Sequence, residues 1–444
     1  MPAAAPLDFL PPQLDRRVLS LSRWLLPLWL RQCSDIRDLQ LQDGERLVQA
    51  LQAFQAGDSR LLLAFRHPSI DDPACMARLL WQEVPRLGRR QGLRWHPAPH
   101  AQFLYDRGIP LWAGASMGWL LRRLGGCSIQ RGRLDLPALR TARQLLLEGP
   151  HPFAVAPEGA TNGHNELVSP LEPGVAQLAL WTAEELERSG RPEAMTLLPI
   201  GIQYRFLRSP WRRIATLIAQ LEQEAGLAPG DGPLLDRLLR LSMRFLDILE
   251  RFYREAYHKP LPTPSLSDPA ELLAARLQQL REAALQVVEQ ALLVEPRGDL
   301  TSRCRRLEQA GWDRLFPSQS GSEACPLERG LADRLADATE QQLWHMRMVE
   351  SFVAVSGRYV RDCPSPERFA DLLLLLWDTS CRIQGRDASQ RPSLGPRQVL
   401  LRIGAPLPVR PLLAHYRQDR RAAVAELTAT LQQRLEQLIV ATQP

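Results

Sequence analysis

Leu61-Leu62-Leu63-Ala64-Phe65-Arg66-His67-Pro68-Ser69-Ile70-Asp71-Asp72 is the stretch on which the reading of this chain turns. Its first five residues are a continuous apolar run, the pattern of a buried strand, and Pro68-Ser69 break it. Beyond the run stand a histidine and a carboxylate with four residues between them, His67 and Asp72. Imidazole is a base near pH 7, and a carboxylate against its far nitrogen fixes the tautomer and stabilises the imidazolium formed when a substrate hydroxyl gives up its proton. Such a pair needs no protein nucleophile: an alcohol attacks an activated acyl group directly. In isolation the spacing reads as a turn more readily than as an active site. Ser69 and Asp72 also fit a Ser-x-x-acid helix start, and Asp72 before Pro73 fits an N-cap with proline at the first helical position. Both roles stay open beside the pairing with His67.

Outward from this strand, residues 60–206 alternate short apolar runs with helical segments. Phe153-Ala154-Val155-Ala156 and Leu197-Leu198-Pro199-Ile200-Gly201-Ile202 read as further strands, and 137–148 and 175–188 as helices. After Arg208 long helical patterns take over at 234–258, 269–294, 327–359 and 366–383, separated by punctuation such as Pro260-Leu261-Pro262-Thr263-Pro264-Ser265. Val399-Leu400-Leu401-Arg402-Ile403-Gly404 returns to strand, and a helix follows with Val424, Leu427, Leu431, Leu435 and Leu438 on one face. The expected fold is α/β, a mixed central sheet flanked by helices and interrupted by a large all-helical insertion. Its divisions are an N-terminal helical segment over 1–44, an α/β domain over 45–206, the insertion over 207–395, and a strand and helix over 396–444 that return to the first layer.

The 444 residues suffice for two or three ordinary domains or one enlarged α/β domain, and 45% hydrophobic content fits a globular core. A net charge of +6 suits an acidic partner such as anionic lipid, a phosphate-bearing substrate or nucleic acid, without choosing among them. Seven cysteines at irregular spacing, with no CxxC pair, argue against a disulfide framework and a zinc site, and for a reducing cytoplasmic setting. No run approaches the roughly 20 apolar residues that a bilayer crossing needs. Residues 18–30, where Trp24, Trp29 and several leucines lie among Arg16, Arg17, Arg23 and Arg31, suit a membrane interface. They suit equally a buried N-terminal helix interrupted at Pro27. The first ten residues carry no positive charge, which argues against a cleaved signal.

Four segments in order, His67 to Asp72, Gly125-Gly126-Cys127-Ser128-Ile129-Gln130-Arg131, Ala156-Pro157-Glu158-Gly159 and Leu198-Pro199-Ile200-Gly201-Ile202, resemble the glycerolipid acyltransferases. That family includes glycerol-3-phosphate and 1-acylglycerol-3-phosphate (lysophosphatidic acid) acyltransferases. Its blocks are a His-x4-Asp pair, a segment ending in an apolar residue, a variable one and an arginine, a Pro-Glu-Gly, and a proline-containing strand. Glu172-Pro173-Gly174 and Gly404-Ala405-Pro406-Leu407 are lesser echoes, and the likeness covers residues 45–206 and 396–440. The resemblance implies transfer of a fatty acyl group from a thioester, acyl-CoA or acyl-ACP, to a hydroxyl of a glycerolipid precursor such as lysophosphatidic acid or glycerol-3-phosphate. It implies His67 as general base, Asp72 as its orienting partner, Arg131 and Glu158 as acceptor-placing residues and Gly159 as a point of close backbone approach, with no bound cofactor or metal. A thioester is already activated and needs positioning, proton removal and oxyanion stabilisation, and an arginine fork suits a phosphate. Two positions depart from the pattern. Arg66 stands where asparagine usually precedes the histidine, and Ala160 and Thr161 follow Gly159 where an arginine is usual. They weaken a phosphate-bearing acceptor and bring Arg66 and Thr161 among the candidate acceptor-binding residues.

Gly114-Ala115-Ser116-Met117-Gly118 after the apolar run 109–113 supports a rival, a serine hydrolase with Ser116 in a nucleophile elbow and His151 or His415 as its base. A non-catalytic lipid-binding scaffold, using arginines of the insertion such as Arg237, Arg240, Arg244 and Arg251, is a third reading, against which the presence of both His67 and Asp72 speaks. Trp344, His345, Met346 and Met348 read as core and helix surface. The expected partners are the acyl donor, with acyl carrier protein where it bears the donor, the lyso-lipid or glycerol phosphate acceptor, and a membrane surface met peripherally. No nucleic-acid-binding motif is present.

Overall fold

The computed structural model describes residues 8–131, 134–316, 325–352, 357–388 and 390–442. Among them eight strands form one mixed sheet: β1 (Ile36–Gln42), β2 (Ser59–Phe65), β3 (Gln102–Asp106), β4 (Gly126–Ile129), β5 (Phe153–Val155), β6 (Ala194–Phe206), β7 (Arg397–Ile403) and β8 (Leu407–Pro408). The order is β1-β7-β6-β2-β5-β3-β4, with β8 against β6. β6, β2, β5, β3 and β4 run parallel, whereas β7 lies antiparallel to β6 and parallel to β1.

β2 is buried along its whole length. Its side chains alternate in destination, Leu62 and Ala64 joining the core on one face and Leu61, Leu63 and Phe65 the core on the other. Period-two alternation follows from the pleat, and burial on both faces is why the run carries no polar residue between its leucines. Each of these leucines and Phe65 contributes about 1.5–3 kcal/mol, so β2 is anchored from both sides. Helices Leu136–Glu148, Gly174–Arg188 and Arg420–Gln437 cover one face. Helix Gly44–Ala56 and the helical run 72–90 cover the other. The register pairs Ala64 with Val155 and Asp106 with Ile129. The chain therefore leaves β2, β5, β3 and β4 along one edge of the sheet, the edge at which open α/β sheets build their sites.

Helices Trp211–Glu224, Leu234–Tyr257, Pro269–Leu292, Leu300–Leu315, Pro326–Ser351 and Pro366–Ile383 build a separate core. In Leu234–Tyr257 the buried positions Leu238, Leu241, Phe245 and Leu249 keep to one face, as helical periodicity requires. Arg237 and Arg240 turn to Glu222, at 2.7 and 2.6 Å. His345 sits in this core between the hydroxyls of Tyr253 and Tyr257, at 2.7 and 3.0 Å.

Three elements differ from the expectation. Residues 36–42 are an edge strand rather than part of a helical segment, because Leu39 and Leu41 alternate with exposed Gln40 and Gln42. The N-terminal helix Arg16–Cys33 continues through Pro27, held by the buried Leu26 and Leu30 on either side. The segment expected as one helix over 327–359 is Pro326–Ser351 and a short Tyr359–Asp362. Residues 353–356 between them lie outside the described residues.

Candidate active site

His67 emerges where β2 ends, and Asp72 opens the helix Asp72–Arg78, with Asp71 at the N-cap. His67 Nδ1 lies 2.9 Å from Asp72 Oδ2. The same Oδ2 accepts the Ser69 backbone N–H at 2.8 Å, and Oδ1 accepts the Tyr204 hydroxyl. Burial foremost, then the charge of Asp72, raises the Tyr204 pKa well above that of a free phenol, so Tyr204 keeps its proton and donates it. An ionised carboxylate only accepts, so His67 Nδ1 carries the hydrogen and Nε2 is the free basic nitrogen. Asp72 thus ties down the turn at Ser69 and faces His67 at once. Arg397 on β7 closes the rear, stacking 4.8 Å from the centre of the Tyr204 ring and pairing with Asp71 at 2.8 Å.

The third segment meets this pair across the β2–β5 boundary. Glu158 is buried, and its Oε1 accepts the His67 backbone N–H at 2.8 Å. Its Oε2 accepts Asn162 Nδ2 at 2.7 Å and the Ser169 N–H at 2.9 Å. Both oxygens are committed to protein donors, so Glu158 shapes the backbone around His67. Gly159 has φ +71°, and a Cβ there would come within 1.7 Å of a Glu172 carboxylate oxygen. Thr161 is exposed and sets its hydroxyl 3.2 Å from His67 Nε2.

Arg66, expected to face the acceptor, is fully buried. Its guanidinium donates to the carbonyl oxygens of Asn165 at 2.8 Å, His164 at 3.0 Å, Ile202 at 3.3 Å and Leu167, and lies 3.9 Å from Glu158. Adjacent side chains on an extended backbone point oppositely, so the residue before His67 faces the loop 164–167 rather than the site. Arg131 stands beside the site but is likewise engaged. It donates to Asp106 at 2.6 Å, to the Gly159 carbonyl at 2.9 Å and to Glu308 at 3.1 Å. Burial works against its charge, but Glu308 and Asp106 outweigh it and raise its pKa.

Glu308 belongs to the insertion. Helix Leu300–Leu315 lies over the turn after β5, placing Arg305 against Glu172 and, at 3.4 Å, Glu308. Glu158, Thr161, Ser169, Thr301, Arg305 and Glu350 line a cavity of about 60 Å³ there. Burial raises the pKa of Glu350, against the opposing pull of Arg131. Tyr204, Arg305, Glu308 and Glu350 carry no signal in the sequence, because each reaches the site from far along the chain, whereas Asn162 is held locally, four residues from Glu158.

Ser116 does not sit in a nucleophile elbow. Residues Ile109–Ala113 are a helix rather than a strand, and Ser116 is exposed in the first turn of the next helix, Ala115–Arg123. His151 packs edge-on to His100, and His415 pairs with Glu426 at 2.8 Å. Among the described residues no group of three or more His, Cys, Asp or Glu side chains is arranged to hold a metal ion. Comparison with protein-family models, curated proteins and solved structures finds no match for this chain.

Proposed function

We propose that this chain is an acyltransferase that carries a fatty acyl group from a coenzyme A or carrier-protein thioester to the hydroxyl of a lipid precursor, with His67 as general base. The observation that carries the reading is the aligned set Asp72 Oδ2, His67 Nδ1 and His67 Nε2, with a hydroxyl oxygen, that of Thr161, 3.2 Å from Nε2. An acceptor hydroxyl in that place gives its proton to Nε2 as its oxygen attacks the thioester carbonyl. The C–S bond breaks, an ester bond forms, and the imidazolium returns the proton to the leaving thiolate. Asp72 stabilises the imidazolium in between.

A lipid substrate fits a molecule with a surface for lipid. Helix Arg16–Cys33 buries Leu19, Leu26 and Leu30 and turns Leu21, Trp24, Leu25, Leu28 and Trp29 outward, Trp24 being 75% exposed. Exposed Arg16, Arg17 and Arg31 accompany this apolar face, and the helix carries no acidic residue. Peripheral docking of this face on an anionic membrane surface is part of the proposal. Among the described residues no helix is long and apolar enough to cross a membrane.

The contact between Thr161 and His67 favours one second reading, in which the Thr161 hydroxyl itself attacks the thioester and an acyl-threonine forms before transfer. Thiol release from acyl thioesters by wild type, His67→Ala and Thr161→Ala separates the two. Direct transfer predicts a loss of about 10²–10⁴-fold for His67→Ala and a far smaller effect for Thr161→Ala. Equal losses, together with an acylated Thr161 peptide in wild type, would establish the covalent route, and an active His67→Ala would defeat both.

A further inference from the structure

The terminal guanidinium nitrogens at the mouth of this site are already occupied by carboxylates and carbonyls. Arg131 spends its guanidinium on Asp106, the Gly159 carbonyl and Glu308. Arg305 spends its two terminal nitrogens on Glu172 and Glu308, which leaves only its Nε buried without an acceptor. Arg66 is enclosed by four backbone carbonyls. Around the cavity three guanidinium groups, Arg66, Arg131 and Arg305, thus meet five carboxylates, Asp106, Glu158, Glu172, Glu308 and Glu350. Removing the proton from Glu350 leaves the cluster two charges negative, and keeping it leaves one. Neither state offers an anion a free bidentate fork, and both repel it in a setting where water screens poorly.

The remaining lining suits a different ligand. Thr161, Ser169 and Thr301 bring hydroxyl side chains to the cavity, and Glu350 lines it with a carboxylate. Hydroxyls satisfy a neutral polyol, and the excess carboxylate complements an ammonium group. Resting on the acyl-transfer reading, we infer that the acceptor presented to His67 bears a head group with no net negative charge, an uncharged alcohol or an amine-bearing lyso-lipid, and that phosphomonoester acceptors are disfavoured by the carboxylates of Glu308 and Glu350. Acceptor choice then falls to the insertion, because both carboxylates belong to it.

Two arms test this. In the first, thiol release from an acyl thioester is followed with monoacylglycerol, a long-chain amino alcohol and lysophosphatidic acid in matched detergent micelles, using wild type, Glu308→Gln and Glu350→Gln. Wild type is expected to prefer the uncharged and cationic acceptors by at least roughly tenfold, the ratio set by about 1.4 kcal/mol of differential binding. The two Gln variants are expected to narrow that preference severalfold. Preference of wild type for lysophosphatidic acid, or a preference left unchanged in both variants, overturns the inference while leaving acyl transfer standing. In the second arm, inorganic phosphate and glycerol-3-phosphate are titrated calorimetrically into wild type and both variants, with no turnover required. Tighter binding in the variants supports the inference even if no acceptor is acylated, and equal or tighter binding by wild type overturns it. Absence of thiol release with every acceptor and every thioester would count against the acyl-transfer reading alone.

Discussion

Asp72 is the residue on which the site depends. Its two oxygens, wholly buried, receive His67, the Ser69 N–H and the Tyr204 hydroxyl, each fixing the direction from which the others approach. Asp72→Asn would present an amide N–H to one of these donors and favour the wrong imidazole tautomer. The expected loss of thiol-release rate is on the order of 10²–10⁴-fold with the fold retained by circular dichroism. Tyr204→Phe leaves one oxygen of Asp72 buried without its donor, so it is expected to lower the unfolding free energy by about 1–3 kcal/mol in urea titration and to slow turnover less than His67→Ala does. An unchanged urea midpoint would show that water replaces the phenol. The His67–Asp72 pair was legible in the sequence because five positions of local chain bring it together. Tyr204 was not, since its contact spans the sheet, and Arg66 was misread because nearness in sequence to His67 hides the opposite direction of its side chain.

At the scale of elements, parallel strands carry the site: His67 follows β2, Glu158 follows β5, Asp106 ends β3 and Arg131 follows β4. Strands β2, β5, β6 and β7 were readable from the short apolar runs 61–65, 153–155, 197–202 and 399–401, although all but β5 also carry polar residues. β3, Gln102-Phe103-Leu104-Tyr105-Asp106, and the short β4 escaped because polar ends and a glycine pair mask them. Helix Leu300–Leu315, which covers the site, is absent from the expected helices, and its Glu308 and Arg305 find their partners only across the fold. The insertion is also latched to the loop 164–167. Asp371 accepts the Asn165 N–H at 2.8 Å and the Tyr359 hydroxyl at 2.7 Å, and Arg368 meets Glu166 at 2.8 Å. Burial lifts the Asp371 pKa to about 7. An unfolded aspartate titrates near ~3.9, so between those values the native state holds the extra proton. The stability this group contributes is present below that window and lost as pH rises through about 7. Asp371→Asn cannot titrate. Relative to the variant, wild type should therefore lose stability between about pH 4 and about pH 7, read as urea midpoints, and parallel midpoints would contradict this titration.

The whole molecule joins a sheet with cores on both faces to a set of helices with a core of its own, and the chain returns through β7, which lies between β6 and the edge strand β1. Helical periodicity and strand-like runs mark the α/β and helical stretches in the sequence. The covering of the site by the helices after Arg208 stayed hidden, because it depends on contacts between residues far apart along the chain. The N-terminal helix was ambiguous for a physical reason: it is apolar on opposite faces, one packed and one bare. Trp24→Ala with Trp29→Ala should leave the melting temperature nearly unchanged and reduce co-sedimentation with anionic vesicles severalfold, each exposed Trp being an interfacial anchor. Undiminished sedimentation would remove that face from the account. The central claim, base-catalysed acyl transfer at His67, is tested most directly by measuring acylated lipid and free thiol together, with purified wild type, His67→Ala and Ser116→Ala and a defined acyl thioester. Wild type and Ser116→Ala should form the two products in equal amounts, only when acceptor is present, and His67→Ala should form almost none. Equal rates in wild type and His67→Ala, or a loss confined to Ser116→Ala, would contradict it.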